Sequence, residues 1–205
     1  MSGDWKYGVL PGQEAFAQAK AAAVKALALD DSLGEAHASL ALALDLYGWD
    51  WKAAEAEYQR AIELTPGYAP AHQWYSWHLI MMGRDSDGIS ELRKAESLDP
   101  LSLIISADIA DALCVARRYD EAVQQSKKTL EMDASFAVGH FELGQALVQR
   151  QLYDQAIAQF QRAIKLSERS GAFESNLAHL YLFDPLISTL SVSGNKGIRR
   201  VGGTL

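Results

Sequence analysis

Apolar positions recur through most of this chain at the spacing of amphipathic helices. In the segment "YDQAIAQFQRAIKL", residues 153–166, five apolar residues fall on one helical face: Ala156, Ile157, Phe160, Ala163 and Ile164. The helical segments close on short runs that contain proline or an acid, namely "LALDD", "IELTP", "ESLDP", "LEMDA" and "IKLSE". Because such runs stop a helix, the pattern predicts a series of short helices separated by turns.

One helical pattern returns at a fixed interval. The stretch "RRYDEAVQQSKKTLEMD", residues 117–133, is followed thirty-four residues later by "QLYDQAIAQFQRAIKLS", residues 151–167. The same register places an aromatic ahead of the acidic helix start at Phe16, Trp51, Tyr119 and Tyr153, with Asp85 in the position where the aromatic is lost. Three residues further on, a small residue recurs at Ala19, Ala54, Gly88, Ala122 and Ala156. The sequence therefore predicts several copies of one structural unit.

A second, less regular helix is predicted ahead of each repeated one. These segments share a large-small-large triplet at Leu40/Ala41/Leu44, Tyr75/Ser76/Leu79, Ile109/Ala110/Leu113 and Leu143/Gly144/Leu147. A small central residue lets a neighbouring helix approach closely, and the large flanking residues fill the groove between the two helices. Each unit is thus predicted to be a pair of packed helices.

The period, the small-residue positions, the aromatic position and the closing proline together resemble the tetratricopeptide repeat, a helix-turn-helix unit. The resemblance covers roughly residues 11–182 and implies an all-α, right-handed superhelical α-solenoid, stabilised by stacking of neighbouring repeats. One extra residue near "DLYGWDW" is expected to lengthen the inter-helix turn of the second repeat. The predicted organisation is a partial first repeat at 1–33 with only its second helix, repeats at 34–68, 69–102, 103–136 and 137–170, a half repeat at 171–183 and an irregular tail at 184–205.

Several phrases also resemble the repeat arrays attached to larger bacterial regulators: "DLYGWDW", "AHQWYSWHL", "LDPLSLIISADI" and "ARRYDEAVQQ". Arrays of that kind are commonly joined to winged-helix DNA-binding, nucleotide-cyclase or protein-kinase modules. None of those modules is in this sequence. The resemblance implies a piece or a relative of a bacterial regulatory protein.

Composition and charge exclude several classes of partner. The 205 residues are 49% apolar with five prolines, which argues against disorder, and the net charge of −7 makes nucleic acid and anionic membranes unlikely direct partners. No run of about eighteen apolar residues could span a membrane, and "MSGDWKYGVLPG" has no secretory signal. The single cysteine, Cys114, excludes an internal disulfide framework. A cytoplasmic protein is expected.

The residue types that carry chemistry do not form a recognisable active site. His37, His72 and His140 share one repeat position, where Ser106 also stands, and equivalent positions of stacked repeats lie too far apart for zinc. They are interpreted as packing residues between helices. Asp108 and Asp111 form an acidic pair beside Cys114, which a solvated groove wall explains better than acid-base catalysis. No catalysis, metal or cofactor is expected.

The concave face that the repeat family implies is the remaining candidate site. The partner-binding residues predicted on it are Gln73, Trp74, Trp77, Asp45, Asp108, Asp111, Phe141, Glu142 and Gln145. These residues are acidic, aromatic or amide-bearing, so the expected partner is a protein or peptide with apolar anchors and basic flanks. The known groove that clamps a C-terminal carboxylate needs lysine, arginine and asparagine, which are missing here. For Trp77, packing between repeats and exposure in the groove remain equally good readings, whereas exposure is favoured for Trp74.

Two other functions remain open at this stage. A repeat array with half repeats at both ends exposes helix faces, so the chain could be a self-assembling structural unit or a homo-oligomer joined through its terminal repeats. The apolar run "LAHLYLFDPLISTL" would then dock on the last repeat of its own chain or on another copy. The third alternative is a regulatory domain of a cyclase, kinase or transcription factor.

Overall fold

The computed structural model describes residues 12–167, with side chains from residue 16 onward. This range is helical and contains no strand, which confirms the predicted all-α class. The predicted half repeat at 171–183, the tail at 184–205 and the apolar docking run lie outside the described residues. The helices of the described range are α1 Gly12–Leu29, α2 Gly34–Ala43, α3 Trp51–Leu64, α4 Ala69–Met81, α5 Asp85–Leu98, α6 Leu103–Val115, α7 Tyr119–Met132, α8 Ala137–Gln149 and α9 Tyr153–Leu166.

The chain divides into two compact units. Within the described residues, the first unit ends at Arg117 and contains α1 to α6, and the second begins at Arg118 and contains α7 to α9. In the first unit α2 packs against α1 and α3, and α4 packs against α3 and α5. In the second unit α8 packs against both α7 and α9.

Small residues bring the paired helices close together, as the repeated pattern predicted. A Cβ atom added to Gly88 on α5 would lie 2.6 Å from Cγ1 of Ile80 and 2.7 Å from the carbonyl oxygen of Ser76, both on α4. In the second unit, a Cβ atom on Gly144 would lie 2.6 Å from Cε1 of Phe160. Both positions therefore exclude larger side chains, because the neighbouring helix already fills the space.

The turn between the two helices of a repeat has a residue in the left-handed backbone conformation at the same position in each described copy. Trp49, Gly83, Arg117 and Gln151 have φ values of 52°, 75°, 59° and 58°, and they are spaced by thirty-four residues. Only glycine adopts this conformation without steric cost, so the other three are held in it by the packed helices on either side.

The extra residue of the second repeat does not lengthen this turn, contrary to the sequence-based expectation. Residues Leu44–Gly48 instead continue α2 as a π-helical turn, and the left-handed Trp49 follows directly. A π-helical turn absorbs one inserted residue inside a helix, and such turns are frequent at functional sites. The buried residue of this turn is Asp45.

The shared histidine position links the two helices of a repeat, as the packing interpretation predicted. In the first unit Nδ1 of His72 pairs with Glu91 at 2.6 Å while Nε2 contacts the carbonyl oxygen of Pro66 at 3.0 Å. His37 makes the same pair of contacts with Glu57 and with the carbonyl of Asp31. In the second unit His140 contacts Gln159 and the carbonyl of Ala134. Each ring thus ties the second helix of its repeat to the loop before the first.

Candidate functional site

A cavity of about 430 Å³ opens in the first unit, a size within the usual range of ligand-binding sites. Its walls come from α1, α2, the π-helical turn, α3, α4 and α6. The lining residues are Phe16, Leu42, Asp45, Leu46, Tyr58, Gln73, Trp74, Trp77, Met81, Ile104 and Asp108. Aromatic and aliphatic side chains dominate this lining, two carboxylates interrupt it, and no lysine or arginine is among its described members.

The π-helical turn brings a buried carboxylate to the cavity. Asp45 is 4% exposed, and its Oδ1 accepts a hydrogen bond at 2.9 Å from Nδ1 of His78, which is 1% exposed. A carboxylate removed from water needs such a donor, because an unpaired buried charge costs several kcal/mol. The histidine therefore holds Asp45 in place at the cavity wall.

The buried hydroxyl of Tyr58 on α3 belongs to a residue that lines the cavity. The residue is fully buried, and among the described residues its hydroxyl makes no hydrogen bond. Burial raises the pKa of Tyr58 above its ordinary value, and the nearby Asp45 charge raises it further, so the phenol stays protonated. Leaving a buried hydroxyl unsatisfied costs about 1–3 kcal/mol, which makes this group an exception that needs an explanation.

A hydrogen bond between helices fixes the polar side of the cavity. Nε2 of Gln73 on α4 donates to Oδ2 of Asp108 on α6 at 2.6 Å. Both side chains are half-buried. The amide thus orients the Asp108 carboxylate, which carries charge beside the aromatic walls.

The two tryptophans of α4 both line the cavity and both are half-buried. Trp74 also packs against the buried core, and its ring meets Tyr68 edge to face with centroids 6.4 Å apart. Packing between helices and exposure in the groove therefore both apply to Trp74, since one part of its side chain packs against the core and another faces the cavity.

A second, open depression of about 400 Å³ shares residues with the first and extends its apolar surface. It is lined by Asp45, Leu46, Trp49, Trp51, Met81 and Met82, and three of these also line the first cavity. Trp49 is 73% exposed and Trp51 is 45% exposed, which is unusual for tryptophan. We call this exposed surface, made of Trp49, Trp51, Met81 and Met82, the apolar rim.

Five of the nine residues predicted to bind a partner line the first cavity: Asp45, Gln73, Trp74, Trp77 and Asp108. Asp111 lies half-buried on α6 and is not in the lining. Phe141, Glu142 and Gln145 lie on α8 of the second unit. There Glu142 is buried, and Phe141 contacts the ring of Phe160 with centroids 5.6 Å apart.

Sequence reasoning missed Phe16, Leu46, Tyr58, Met81 and Ile104 as lining residues, and missed the apolar rim. The sequence did not indicate Tyr58 as a lining residue, because it occupies a core position of the second helix of its repeat. The rim could have been found from "YGWDW" and "IMMG", which place large apolar side chains beside a predicted turn.

The structure offers no metal site among the described residues, where no group of three or more histidine, cysteine or acidic side chains converges. The helices of the same range include none long and apolar enough to cross a membrane.

Comparison with known proteins agrees with this architecture. Residues 137–170 match the family model for the tetratricopeptide repeat, while no curated protein matches the chain. A thermophilic tetratricopeptide protein of Thermus thermophilus is 17% identical with a TM-score of 0.72, covering 82% of this chain and 91% of its own. YrrB, described as having an unusual peptide-binding site, is 17% identical with a TM-score of 0.61, covering 80% and 84%. PilF of Pseudomonas aeruginosa is 19% identical with a TM-score of 0.64, covering 88% and 90%. At these identities the likeness shows the fold alone.

Proposed function

The chain has the tetratricopeptide-repeat fold, and on that premise we propose that it is a non-catalytic module whose first unit holds a segment of a partner protein. The observation that carries the proposal is the cavity of about 430 Å³ between aromatic and acidic side chains. Proteins of this fold include YrrB, whose description names a peptide-binding site. An open cavity with an apolar rim suits an extended or helical segment better than an enclosed small molecule.

Trp77 and the rim tryptophans are the main contacts of this proposal. Large aromatic side chains in a concave site contribute disproportionately to binding, because they bury much area and lose little conformational entropy. The rim would receive apolar side chains of the partner, while Gln73 and Asp108 offer hydrogen bonds inside the cavity. Asp111 of the first unit, and Phe141, Glu142 and Gln145 of the second, stay predictions as further partner contacts.

We also propose a cellular role for the module. The resemblance to repeat arrays of bacterial regulators and the lone Cys114 favour a cytoplasmic signalling role, in which the module recruits or regulates another protein. A regulatory role beside a cyclase, kinase or transcription factor is one form of this function. The alternative function is self-assembly through the terminal repeats.

The test is affinity capture from a lysate with the full chain and with Trp74→Ala/Trp77→Ala. The matched control is Leu98→Ala/Leu101→Ala, which removes two exposed apolar side chains outside the cavity. Because Trp74 also packs against the core, Trp77→Ala alone is measured beside the double variant, and circular dichroism checks that each chain stays helical. Partners lost only with the tryptophan variants support the proposal. Partners retained by a folded double variant would contradict binding in this cavity, and recovery of the chain itself alone would favour self-assembly.

A further inference from the structure

Two polar residues that line the cavity, Tyr58 and Asp45, and the histidine that contacts Asp45, His78, stand in repeat positions that are otherwise filled mostly by apolar residues. The position of Tyr58 is taken by Leu92, Ser126 and Phe160 in later repeats. Ile80, Cys114 and Val148 take the position of Asp45, and Ala43, Ala112 and Ala146 take that of His78. Packing of a repeat therefore does not require the phenol, the carboxylate or the imidazole. Their convergence in one repeat pair points to a ligand rather than to the fold.

The contrast with Ser126 shows what is unusual about Tyr58. Both residues are fully buried in the same repeat position, but the hydroxyl of Ser126 donates to the carbonyl oxygen of Ala122 at 2.9 Å. The hydroxyl of Tyr58 has no such acceptor or donor within the described range. Since buried polar groups are nearly always satisfied, an unpaired hydroxyl beside a cavity favours a hydrogen bond to a group bound there.

The charged residues around the cavity favour a ligand with a positive charge. Asp45 and Asp108 are the charged lining residues of the described range, and the imidazole of His78 beside them is already engaged with Asp45. Trp74 and Trp77 add aromatic walls, whose faces attract a cation. A carboxylate or phosphate would meet repulsion here, whereas an alkyl chain ending in a positive charge would find apolar walls and an acidic end.

We propose that the cavity takes one lysine or arginine side chain of the partner segment, with its alkyl stem between the aromatic walls and its charged head toward Asp45 and Tyr58. This inference rests on the proposed function and reverses the expected order of contacts, since the basic residue is the central anchor and the apolar residues lie on the rim. Tyr58 then accepts a hydrogen bond from the ammonium or guanidinium group, which satisfies its hydroxyl.

The experiment selects binders from a random-dodecamer display library on the immobilised full chain. The most enriched peptide is synthesised together with versions in which each lysine or arginine is replaced by norleucine or citrulline. These replacements keep the size and remove the charge. The affinity of each peptide is measured for the wild type, for Tyr58→Phe and for Tyr75→Phe. The last variant is the matched control, because the neighbouring Tyr75 ring is outside the lining and its hydroxyl already contacts Glu55 and Gln59.

The expected result is a consensus with one required basic position, whose neutral replacement weakens binding about 10- to 100-fold, as lost charge-assisted hydrogen bonds do. Tyr58→Phe should weaken the basic peptide and leave the norleucine peptide unchanged, while Tyr75→Phe should change neither. A consensus of apolar residues alone, or equal affinity of basic and neutral peptides, would overturn the inference and leave the peptide-binding function standing. Failure of every dodecamer to enrich over a Trp74→Ala/Trp77→Ala surface would contradict the proposed function and the inference together.

Discussion

Tyr58 in the first unit and Phe160 in the second occupy the same repeat position, three periods of thirty-four residues apart, and both are fully buried. Phe160 packs in a core with Leu143, Leu147 and Ala156, where Gly144 leaves just enough room for its ring. Tyr58 packs in an equivalent core with Ala54 and Leu79, yet it also borders a cavity, and its hydroxyl has no hydrogen-bond partner in the described part of the chain. Since this repeat position also accepts Leu92 and Ser126, the phenol hydroxyl in the first unit is additional to what the packing of a repeat needs.

The largest effect should come from removing the ring in the second unit. Phe160→Ala deletes a fully buried aromatic side chain, and such deletions cost about 3–5 kcal/mol because the cavity left behind collapses only partly. Urea unfolding followed by circular dichroism measures the loss. A decrease below about 1 kcal/mol would show that the second unit is not packed around this ring.

A somewhat smaller loss is expected when the space beside the same ring is filled. Gly144→Ala would place a Cβ atom 2.6–2.9 Å from three atoms of the Phe160 ring. Overpacking of this kind costs about 1–3 kcal/mol. Gly67→Ala is the matched control, because a Cβ atom there meets no other atom of the described residues within 4 Å. Equal free energies of unfolding for the two variants would mean that α8 and α9 are less closely packed than described.

Exchanging the tyrosine and the phenylalanine between the two units tests whether the hydroxyl at this repeat position contributes to stability. Phe160→Tyr puts a hydroxyl into a fully buried apolar core and should lower the free energy of unfolding by about 1–3 kcal/mol, the cost of an unsatisfied buried polar group. Tyr58→Phe removes such a group and should leave stability unchanged or raise it by up to about 1 kcal/mol. Differential scanning calorimetry measures the stability of both variants. A clear loss of stability in Tyr58→Phe would mean that the hydroxyl serves the fold.

The smallest effect concerns the histidine pairs, which have an acidic partner in the first unit and an amide in the second. The hydrogen bond that His72 donates to the Glu91 carboxylate raises the pKa of His72 despite burial. Burial alone would raise the pKa of Glu91, but the hydrogen bonds from His72 and Lys94 outweigh it and lower that pKa. The His72 contribution to stability is therefore full below its unfolded pKa and is lost as pH rises through the raised folded pKa. The Glu91 contribution is full above its unfolded pKa and is lost as pH falls through the lowered folded pKa.

Replacing Glu91 by glutamine should make the first-unit pair behave like His140 and Gln159. Between the two unfolded pKa values both charged groups are present, so the wild type should exceed Glu91→Gln there by about 1 kcal/mol, and the difference should shrink toward alkaline pH. Unfolding free energies measured from about pH 5 to 9 test this. Gln159→Glu is the reciprocal control and should introduce the same pH dependence into the second unit. A constant difference across this range would show that protonation of His72 does not stabilise the first unit.

The sequence predicted the helix pairs well because their signals are local and repeated. Small residues such as Ala54 and Ala156 mark close approach in every copy, and the histidine position could be interpreted as packing from its recurrence alone. The candidate site was predicted only in part. Trp77 and Asp108 follow from the face of a helix, but the place of Asp45 depends on a π-helical turn, and the exception at Tyr58 is visible only when its hydrogen-bond partners can be inspected.

The most direct test of the account is photocrosslinking between the full chain and the dodecamer most enriched by the display selection. Benzoylphenylalanine is placed at Trp77 in one sample and at the exposed Leu98, outside the cavity, in another. The account predicts a peptide adduct from position 77 that excess unlabelled peptide removes, and no adduct from position 98. Adducts of equal yield at both positions, or an adduct at position 98 alone, would contradict the claim that the first-unit cavity holds the partner.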